Sequence, residues 1–274
     1  MTTAATARQL NSISQTDVDF FWEHGYLRIP QVFTPDEIDE LSVEMDRLME
    51  EWATKDLTWT GDWRQEYMDE ATEKASHLLA MHDLWYYSAA WMRAVTHRQL
   101  VGAMVDLLGP DVELHHSTMH VKPSETGHPF PMHQDNAFYQ HTDNRYIDTL
   151  VHLDDTCHEN GEICFIDGSF KQGALSHVLK TRDGEECTPH LPTDQYSLAD
   201  TVAVPAKRGD VVCFNIFEIH GSHINTTNLP RRLVRIGYKH PDNTQICGQS
   251  HNRPSWIVAG QRHRVGDREL FATD

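Results

Sequence analysis

Residues 211–238 read VVCFNIFEIHGSHINTTNLPRRLVRIGY. The stretch contains two short apolar runs, Val211–Phe214 and Leu233–Tyr238, which are rich in the β-branched and aromatic residues typical of β-strands. Between the two runs lie Gly, Asn and Pro residues that favour turns. We therefore predict two strands joined by a connection that carries His220.

The same strand-like pattern continues in the residues that precede this stretch. Short segments rich in Val, Ile, Leu and Phe alternate with turn residues, and they predict strands at Val112–Lys122, Thr149–Leu153 and Glu162–Ile166. Residues 171–205 have weaker periodicity, so we expect a long excursion near the mouth of a barrel.

Helical signals dominate the first hundred residues. A first helix is predicted from Thr16, as its N-cap, to Gly25, and a second begins at the capping box Thr34–Glu37. A further helical stretch, from Ser88 to Leu108, ends at a Gly-Pro pair, whereas residues 53–75 are polar and Trp-rich and could form a loop or lid. Helices first and strands afterwards predict an α+β chain, mainly β, with helices supporting a sandwich or barrel.

Composition narrows the possible functions. The chain has 274 residues and a formal net charge of −18, which makes nucleic acid and anionic membrane surfaces poor partners. The five cysteines contain no CxxC pair, so a reduced, cytoplasmic protein is the simplest interpretation. No apolar run approaches the length of a membrane span, and the N-terminal residues lack the apolar core of a secretory signal.

The tripeptide His133-Gln134-Asp135 is the main candidate for chemistry. On an extended strand, residues i and i+2 point to the same face, so one imidazole and one carboxylate converge. His220 can supply a third ligand. Two histidines and one carboxylate form the facial triad of non-haem iron(II) oxygenases, which leaves three metal positions open, two for a 2-oxo acid and one for dioxygen.

Two residues that follow His220 fit the same chemistry. Arg231 stands at the start of the last predicted strand, and its planar guanidinium could grip the far carboxylate of 2-oxoglutarate with two hydrogen bonds. Ser222 could add a hydroxyl hydrogen bond to that carboxylate. Taken alone, Arg231 would be an ordinary surface residue of a basic strand, so its interpretation depends on its place in the pattern.

The order of these features resembles the phytanoyl-CoA dioxygenase family of 2-oxoglutarate oxygenases. The resemblance covers about residues 17–265, and its motifs are specific in combination although not singly. The matching stretches are Glu23–Tyr26, Lys122-Pro123, His133–Asn136, Leu153–Asp155, Asn160-Gly161, Gly168-Ser169, Arg208–Asp210, His220–Ser222 with Asn225, Pro230–Arg232 and Tyr238.

The resemblance implies a fold and a division of labour. The fold would be a double-stranded β-helix, a jelly-roll, cupin-like barrel with supporting N-terminal helices. Residues 1–274 would form a single domain, with 1–15 flexible, 16–110 mainly helical support and 111–265 the jelly-roll core. Iron(II) would be held by His133, Asp135 and His220, and 2-oxoglutarate by Arg231 and Ser222, with His120 and Lys122 as further candidates on the preceding strand.

The implied reaction consumes 2-oxoglutarate and dioxygen, releases succinate and carbon dioxide, and hydroxylates a small-molecule metabolite or natural-product intermediate. Two departures from the family pattern affect the pocket: Leu150 or Val151 replaces a frequent Trp, and Phe170 ends a segment that often ends in His. Because both lie outside the triad, they bear on the substrate, which the sequence leaves open. Asp135 favours oxygen transfer over halogenation, since halogenating relatives have a small residue there.

Several alternatives remain open. Arg235 has the same strand parity as Arg231 and could bind a substrate anion or pair with an acidic residue. A zinc cluster of His115, His116, His120 and His128 is disfavoured by its spacing and by the lack of nearby cysteine ligands. Rival functions are a cupin-like metal enzyme that does not use 2-oxoglutarate and a catalytically silent binding barrel. The oligomeric state is also open.

Overall fold

The computed structural model describes residues 10–52, 59–125 and 127–262. In these ranges the helices are α1 (Gln15–His24), α2 (Pro35–Trp52), α3 (Arg64–Tyr67), α4 (Glu70–Ala75), α5 (Ala89–Val95) and α6 (Arg98–Leu108). The strands are β1 (Tyr26–Ile29), β2 (Leu79–His82), β3 (Val112–Lys122), β4 (Phe130–His133), β5 (Tyr139–His141), β6 (Tyr146–His152), β7 (Ile163–Phe165), β8 (Val178–Lys180), β9 (Glu186–His190), β10 (Val202–Val204), β11 (Val211–Asn215), β12 (His220–Ser222), β13 (Arg231–Lys239), β14 (Gln245–Gly248) and β15 (Trp256–Ala259).

Two antiparallel sheets form the body of the fold. The large sheet has the order β1-β11-β6-β13-β3-β15, and β2 pairs with another part of β3. The small sheet has the order β10-β7-β12-β4, and two further pairs, β8–β9 and β5–β14, lie outside both sheets. This arrangement confirms the predicted mainly-β jelly-roll with N-terminal helices.

Side-chain alternation along β13 explains why one face of the large sheet packs in the apolar core and the other faces the interior cavity. Val234 and Ile236 belong to the apolar core that also contains helix residues such as Leu41 and Leu100. Arg231 and Arg235, of the opposite parity, line the interior cavity instead. Since successive strand residues point to opposite faces, one strand both anchors the helices and supplies the site.

Helix termini follow the predicted chemistry, with two corrections. Thr34 and Glu37 form the expected capping box at α2, since the Glu37 carboxylate accepts a hydrogen bond from the Thr34 amide at 2.8 Å. The predicted cap at Thr16 is wrong: Ser14 caps α1, and its capping box pairs with Asp17. The predicted helix from Ser88 to Leu108 is two helices, because the chain leaves helical geometry between α5 and α6.

The predicted excursion and the predicted loop or lid both contain short secondary-structure elements. Residues 171–205 contain β8, β9 and β10, and residues 59–75 contain α3 and α4. The rest of the predicted lid, residues 53–58, and the outer parts of the predicted flexible and core segments (1–9 and 263–265) lie outside the described residues. None of the helices in the described ranges combines the length and the hydrophobicity of a membrane span.

Asp106 of α6 fixes the segment before α1 and gives a first prediction. Its buried carboxylate accepts backbone hydrogen bonds from Asn11, Ser12 and Ile13 at 2.8, 2.8 and 3.2 Å. Burial raises the pKa of Asp106, but these bonds lower it more, and the net pKa is below its ordinary value. A depressed carboxyl pKa stabilises the fold above the unfolded pKa of about 3.9, and this stabilisation is lost as the pH falls through the folded pKa.

Asp106→Asn is therefore expected to lower the free energy of unfolding at pH 7 by about 1–3 kcal/mol. The difference in the free energy of unfolding between the variant and wild type should become smaller as the pH falls below about 4. Urea denaturation across this pH range measures both effects, with the exposed Asp194→Asn as control. An equal loss of stability at every pH would show that the carboxylate charge is not responsible.

Candidate metal centre

Strand pairing brings the predicted metal ligands together. His220 of β12 lies directly opposite His133 of β4 in the small sheet. The predicted strand through Asp135 is shorter than expected: β4 ends at His133, Gln134 remains extended, and Asp135 begins a short 3-10 turn, Asp135–Ala137. The turn places the carboxylate beside both imidazoles.

The three side chains form a compact, buried set of donors. The Asp135 Oδ1 atom lies 3.5 Å from His133 Nε2 and 3.8 Å from His220 Nε2. One donor atom from each residue lies within 4.8 Å of the others, the only such group of His, Cys, Asp or Glu among the described residues. His115, His116, His120 and His128 do not form such a group among the described residues.

Backbone carbonyls orient both imidazoles. The Nδ1 atoms of His133 and His220 lie 2.8 and 3.0 Å from the carbonyl oxygens of Pro131 and Glu218. A carbonyl can only accept, so each Nδ1 carries the proton and each Nε2 presents a lone pair to the centre. This is the tautomer that a metal requires.

The charge state of the site also suits a divalent metal. Burial, followed by the neighbouring His133, lowers the pKa of His220 to about 3, so its ring is neutral at neutral pH. Burial alone would raise the pKa of Asp135, but the Arg235 cation and the adjacent imidazoles hold it well below its ordinary value. Neutral imidazole together with a carboxylate is the donor set of the iron(II) facial triad.

A cavity of about 330 Å³ opens from these ligands, and Arg231 lies in its wall. The guanidinium is buried, and its Nε and Nη1 atoms have no hydrogen-bond partner among the described residues. Burial lowers the pKa of Arg231 to about 10, so the group stays charged at neutral pH. A buried cation with unused donors requires an anion. The carboxylate of a 2-oxo acid fits this requirement.

Ser222 and Lys122 lie on the strands around Arg231. Lys122 pairs with Arg231 in the β3–β13 register, and its Nζ atom donates to Ser222 Oγ at 2.7 Å. Burial, followed by the Arg231 charge, lowers the pKa of Lys122 well below its ordinary value. An anion bound at this corner would favour the charged form of Lys122 and would pair with the Arg231 guanidinium, so the corner is suited to a carboxylate.

His120 also lines the cavity, between β2 and β13 on β3. Its ring lies 5.7 Å from that of Phe130, and burial lowers its pKa well below the ordinary value. A neutral imidazole can donate one hydrogen bond and accept another. Its assignment to the co-substrate stays a prediction.

Sequence reasoning did not place Trp59 or Gln249 at the site, and both line the cavity. The Trp59 ring lies 4.7 Å from His133 and 4.9 Å from Phe138. Arg64 fixes this position by donating to the Trp59 carbonyl at 3.0 Å. The Trp-rich composition of residues 53–75 was the sole local signal, and it could not indicate which Trp faces the metal ligands.

Comparison with protein families matches residues 21–233 to the family described as phytanoyl-CoA dioxygenase. Among curated proteins, the chain is 25% identical to a probable alpha-ketoglutarate-dependent hypophosphite dioxygenase from Stutzerimonas stutzeri, over 88% of this chain and 84% of the relative. It is 27% identical to an ectoine dioxygenase from Streptomyces coelicolor, over 90% of this chain and 85% of the relative.

Solved structures show the same fold. The protein EctD from S. alaskensis, in a structure with 2-oxoglutarate and 5-hydroxyectoine, aligns with a TM-score of 0.67 at 22% identity, covering 95% of this chain and 88% of EctD. The carbocyclase SnoK from nogalamycin biosynthesis aligns with a TM-score of 0.67 at 21% identity, covering 86% and 88% of the two chains. These alignments confirm the jelly-roll architecture.

Proposed function

Because this chain belongs to the phytanoyl-CoA dioxygenase family, we propose that His133, Asp135 and His220 are its iron ligands and that Arg231 and Ser222 bind 2-oxoglutarate. The protein is an iron(II)- and 2-oxoglutarate-dependent dioxygenase. The observation that carries the residue assignment is the occurrence, in one cavity, of three convergent metal donors and a buried guanidinium with unused donors.

Each residue has a distinct task in this proposal. Iron, when bound, supplies the oxidising power by activating dioxygen at the expense of 2-oxoglutarate. His133 and His220 offer Nε2 lone pairs, and Asp135 offers Oδ1. Arg231 fixes the far carboxylate of the co-substrate, so that its 2-oxo acid end faces the metal donors. Ser222 and Lys122 add hydrogen bonds at the same end.

The aromatic wall around the metal donors excludes water. Trp59 and Phe138 pack against each other at 4.9 Å, and both lie beside the His133 ring. An apolar, enclosed surface limits the wasteful reaction of an activated centre with solvent and provides a surface for the carbon skeleton of a substrate.

The proposed substrate is a small metabolite or natural-product intermediate, and the proposed reaction is hydroxylation. The cavity of about 330 Å³ supports a compact substrate. The named substrates of two relatives, hypophosphite and ectoine, are also small molecules. We further propose that the whole chain forms one catalytic domain and that it acts in the cytoplasm, where the free thiols of its five cysteines would persist.

An anaerobic titration tests the proposed function. Adding iron(II) and then 2-oxoglutarate to the metal-free protein should produce the weak visible charge-transfer band of the 2-oxo acid chelate, saturating at one equivalent of each. Succinate would be the control anion, because it lacks the 2-oxo group. Bound iron without a band would favour the cupin-like rival, and failure to bind iron at micromolar concentrations would favour the silent binding barrel.

A further inference from the structure

The two carboxylate oxygens of Asp135 lie in different surroundings. Oδ1 faces the two imidazoles, at 3.5 Å from His133 Nε2 and 3.8 Å from His220 Nε2. Oδ2 accepts a hydrogen bond from Arg235 Nη1 at 2.9 Å. Only one oxygen is therefore free to face a metal.

Arg235 is itself held on several sides. Its Nη1 atom also donates to Tyr139 Oη at 2.5 Å, and its Nη2 atom donates to His116 Nε2 at 3.0 Å. The guanidinium lies over the Tyr139 ring, 4.9 Å from its centroid. These neighbours are buried, so Arg235 has little freedom to leave Asp135.

Asp148, the other carboxylate near Arg235, does not replace Asp135 as its hydrogen-bond partner. The nearest Asp148 oxygen lies 3.7 Å from Arg235 Nε, beyond hydrogen-bond distance, and the other Asp148 oxygen accepts from Tyr139 Oη at 2.8 Å. The Arg235–Asp135 contact is shorter and is a charge-assisted hydrogen bond between two buried groups. Such pairs are the ones that control orientation most strongly.

Given the iron site proposed above, we propose that Arg235 is a positioning residue that keeps Asp135 a one-oxygen ligand of the metal. Two histidines and one carboxylate oxygen use three of the six positions of an octahedral metal. If Oδ2 also bound the metal, the number of open metal positions would fall from three to two, and a chelating 2-oxo acid would fill both. The ion pair of Arg235 thus preserves the position that dioxygen needs.

Structures of the Ni(II)-loaded protein, together with calorimetric titration of Ni(II), test this role without turnover. In wild type, one oxygen of Asp135 should bind the metal and the other should contact Arg235. In Arg235→Met, both oxygens should bind the metal or the carboxylate should rotate, and Ni(II) affinity should fall by about 10–100-fold. Arg235→Lys returns one donor to Oδ2 and should restore the one-oxygen geometry, with intermediate affinity.

Arg232→Met is the matched control, because Arg232 is a partly buried arginine of the opposite parity on β13 and pairs with Asp154 and Asp46. It should leave the metal geometry and affinity as in wild type. Both oxygens of Asp135 on the metal in wild type would overturn the role of Arg235, as would unchanged geometry and affinity in Arg235→Met. If Arg235→Met does not fold, the wild-type and Arg235→Lys structures decide.

The two proposals fail in distinguishable ways. If Ni(II) does not bind at His133, Asp135 and His220 in wild type, the proposed iron site itself is wrong. If Ni(II) binds there through both oxygens of Asp135, the iron site stands and only the positioning role of Arg235 is lost.

Discussion

His220→Ala is expected to abolish stoichiometric iron(II) binding and to reduce 2-oxoglutarate turnover by at least about a thousandfold, which corresponds to about 4 kcal/mol of transition-state stabilisation. The reason is geometric. His220 and His133 lie opposite each other on paired strands and are the two nitrogen donors of the proposed metal site. With one removed, Asp135 and His133 alone cannot form the facial set that holds the metal.

Metal titration and succinate release measure the two effects, and His223→Ala is the control. His223 is a nearby histidine whose ring lies 4.5 Å from that of His158, outside the metal donors. It should bind iron(II) and turn over 2-oxoglutarate as wild type does. If His223→Ala loses iron and His220→Ala retains it, the ligand assignment is reversed. If both variants retain full activity, neither histidine is a ligand.

The elements with strong local signals were predictable from sequence. β3 was predicted with the bounds that the structure has, because its residues Val112, Leu114, Met119 and Val121 lie between a Gly-Pro stop and a Lys-Pro turn. The capping box at Thr34 is likewise a local motif with one structural meaning. The convergence of His133, Asp135 and His220 was predictable because their spacing is typical of one family pattern.

Contacts between distant segments were not predictable in the same way. Trp59 and His133 are far apart in sequence but their rings are in contact, and no periodicity near Trp59 indicates that contact. The sequence left Arg235 open between a substrate anion and an acidic partner, and the structure pairs it with Asp135 itself. Which carboxylate an inward arginine contacts depends on how β13 of the large sheet packs against the turn after β4. Local sequence does not encode that packing.

Arg231→Met is expected to raise the concentration of 2-oxoglutarate needed for half-maximal turnover by about 100–1,000-fold, because it removes the buried cation that we propose pairs with the co-substrate carboxylate. Turnover at saturating 2-oxoglutarate should fall much less, since in the proposed binding mode Arg231 contacts the far end of the co-substrate and none of the metal donors. Arg231→Lys keeps the charge but loses the planar fork, so its requirement should lie between those of wild type and Arg231→Met.

Stability separates this role from a structural one. In the metal-free protein, Arg231 is buried with two nitrogen atoms that lack partners among the described residues, so Arg231→Met should not lower the melting temperature and could raise it. Arg232→Met breaks ion pairs with Asp154 and Asp46, so it should lower the melting temperature but leave the 2-oxoglutarate requirement unchanged. If Arg231→Met instead destabilises the protein and keeps a near-normal 2-oxoglutarate requirement, its guanidinium supports the fold. The co-substrate carboxylate would then have to be bound by Ser222, which lines the cavity beside Arg231 and accepts a hydrogen bond from Lys122.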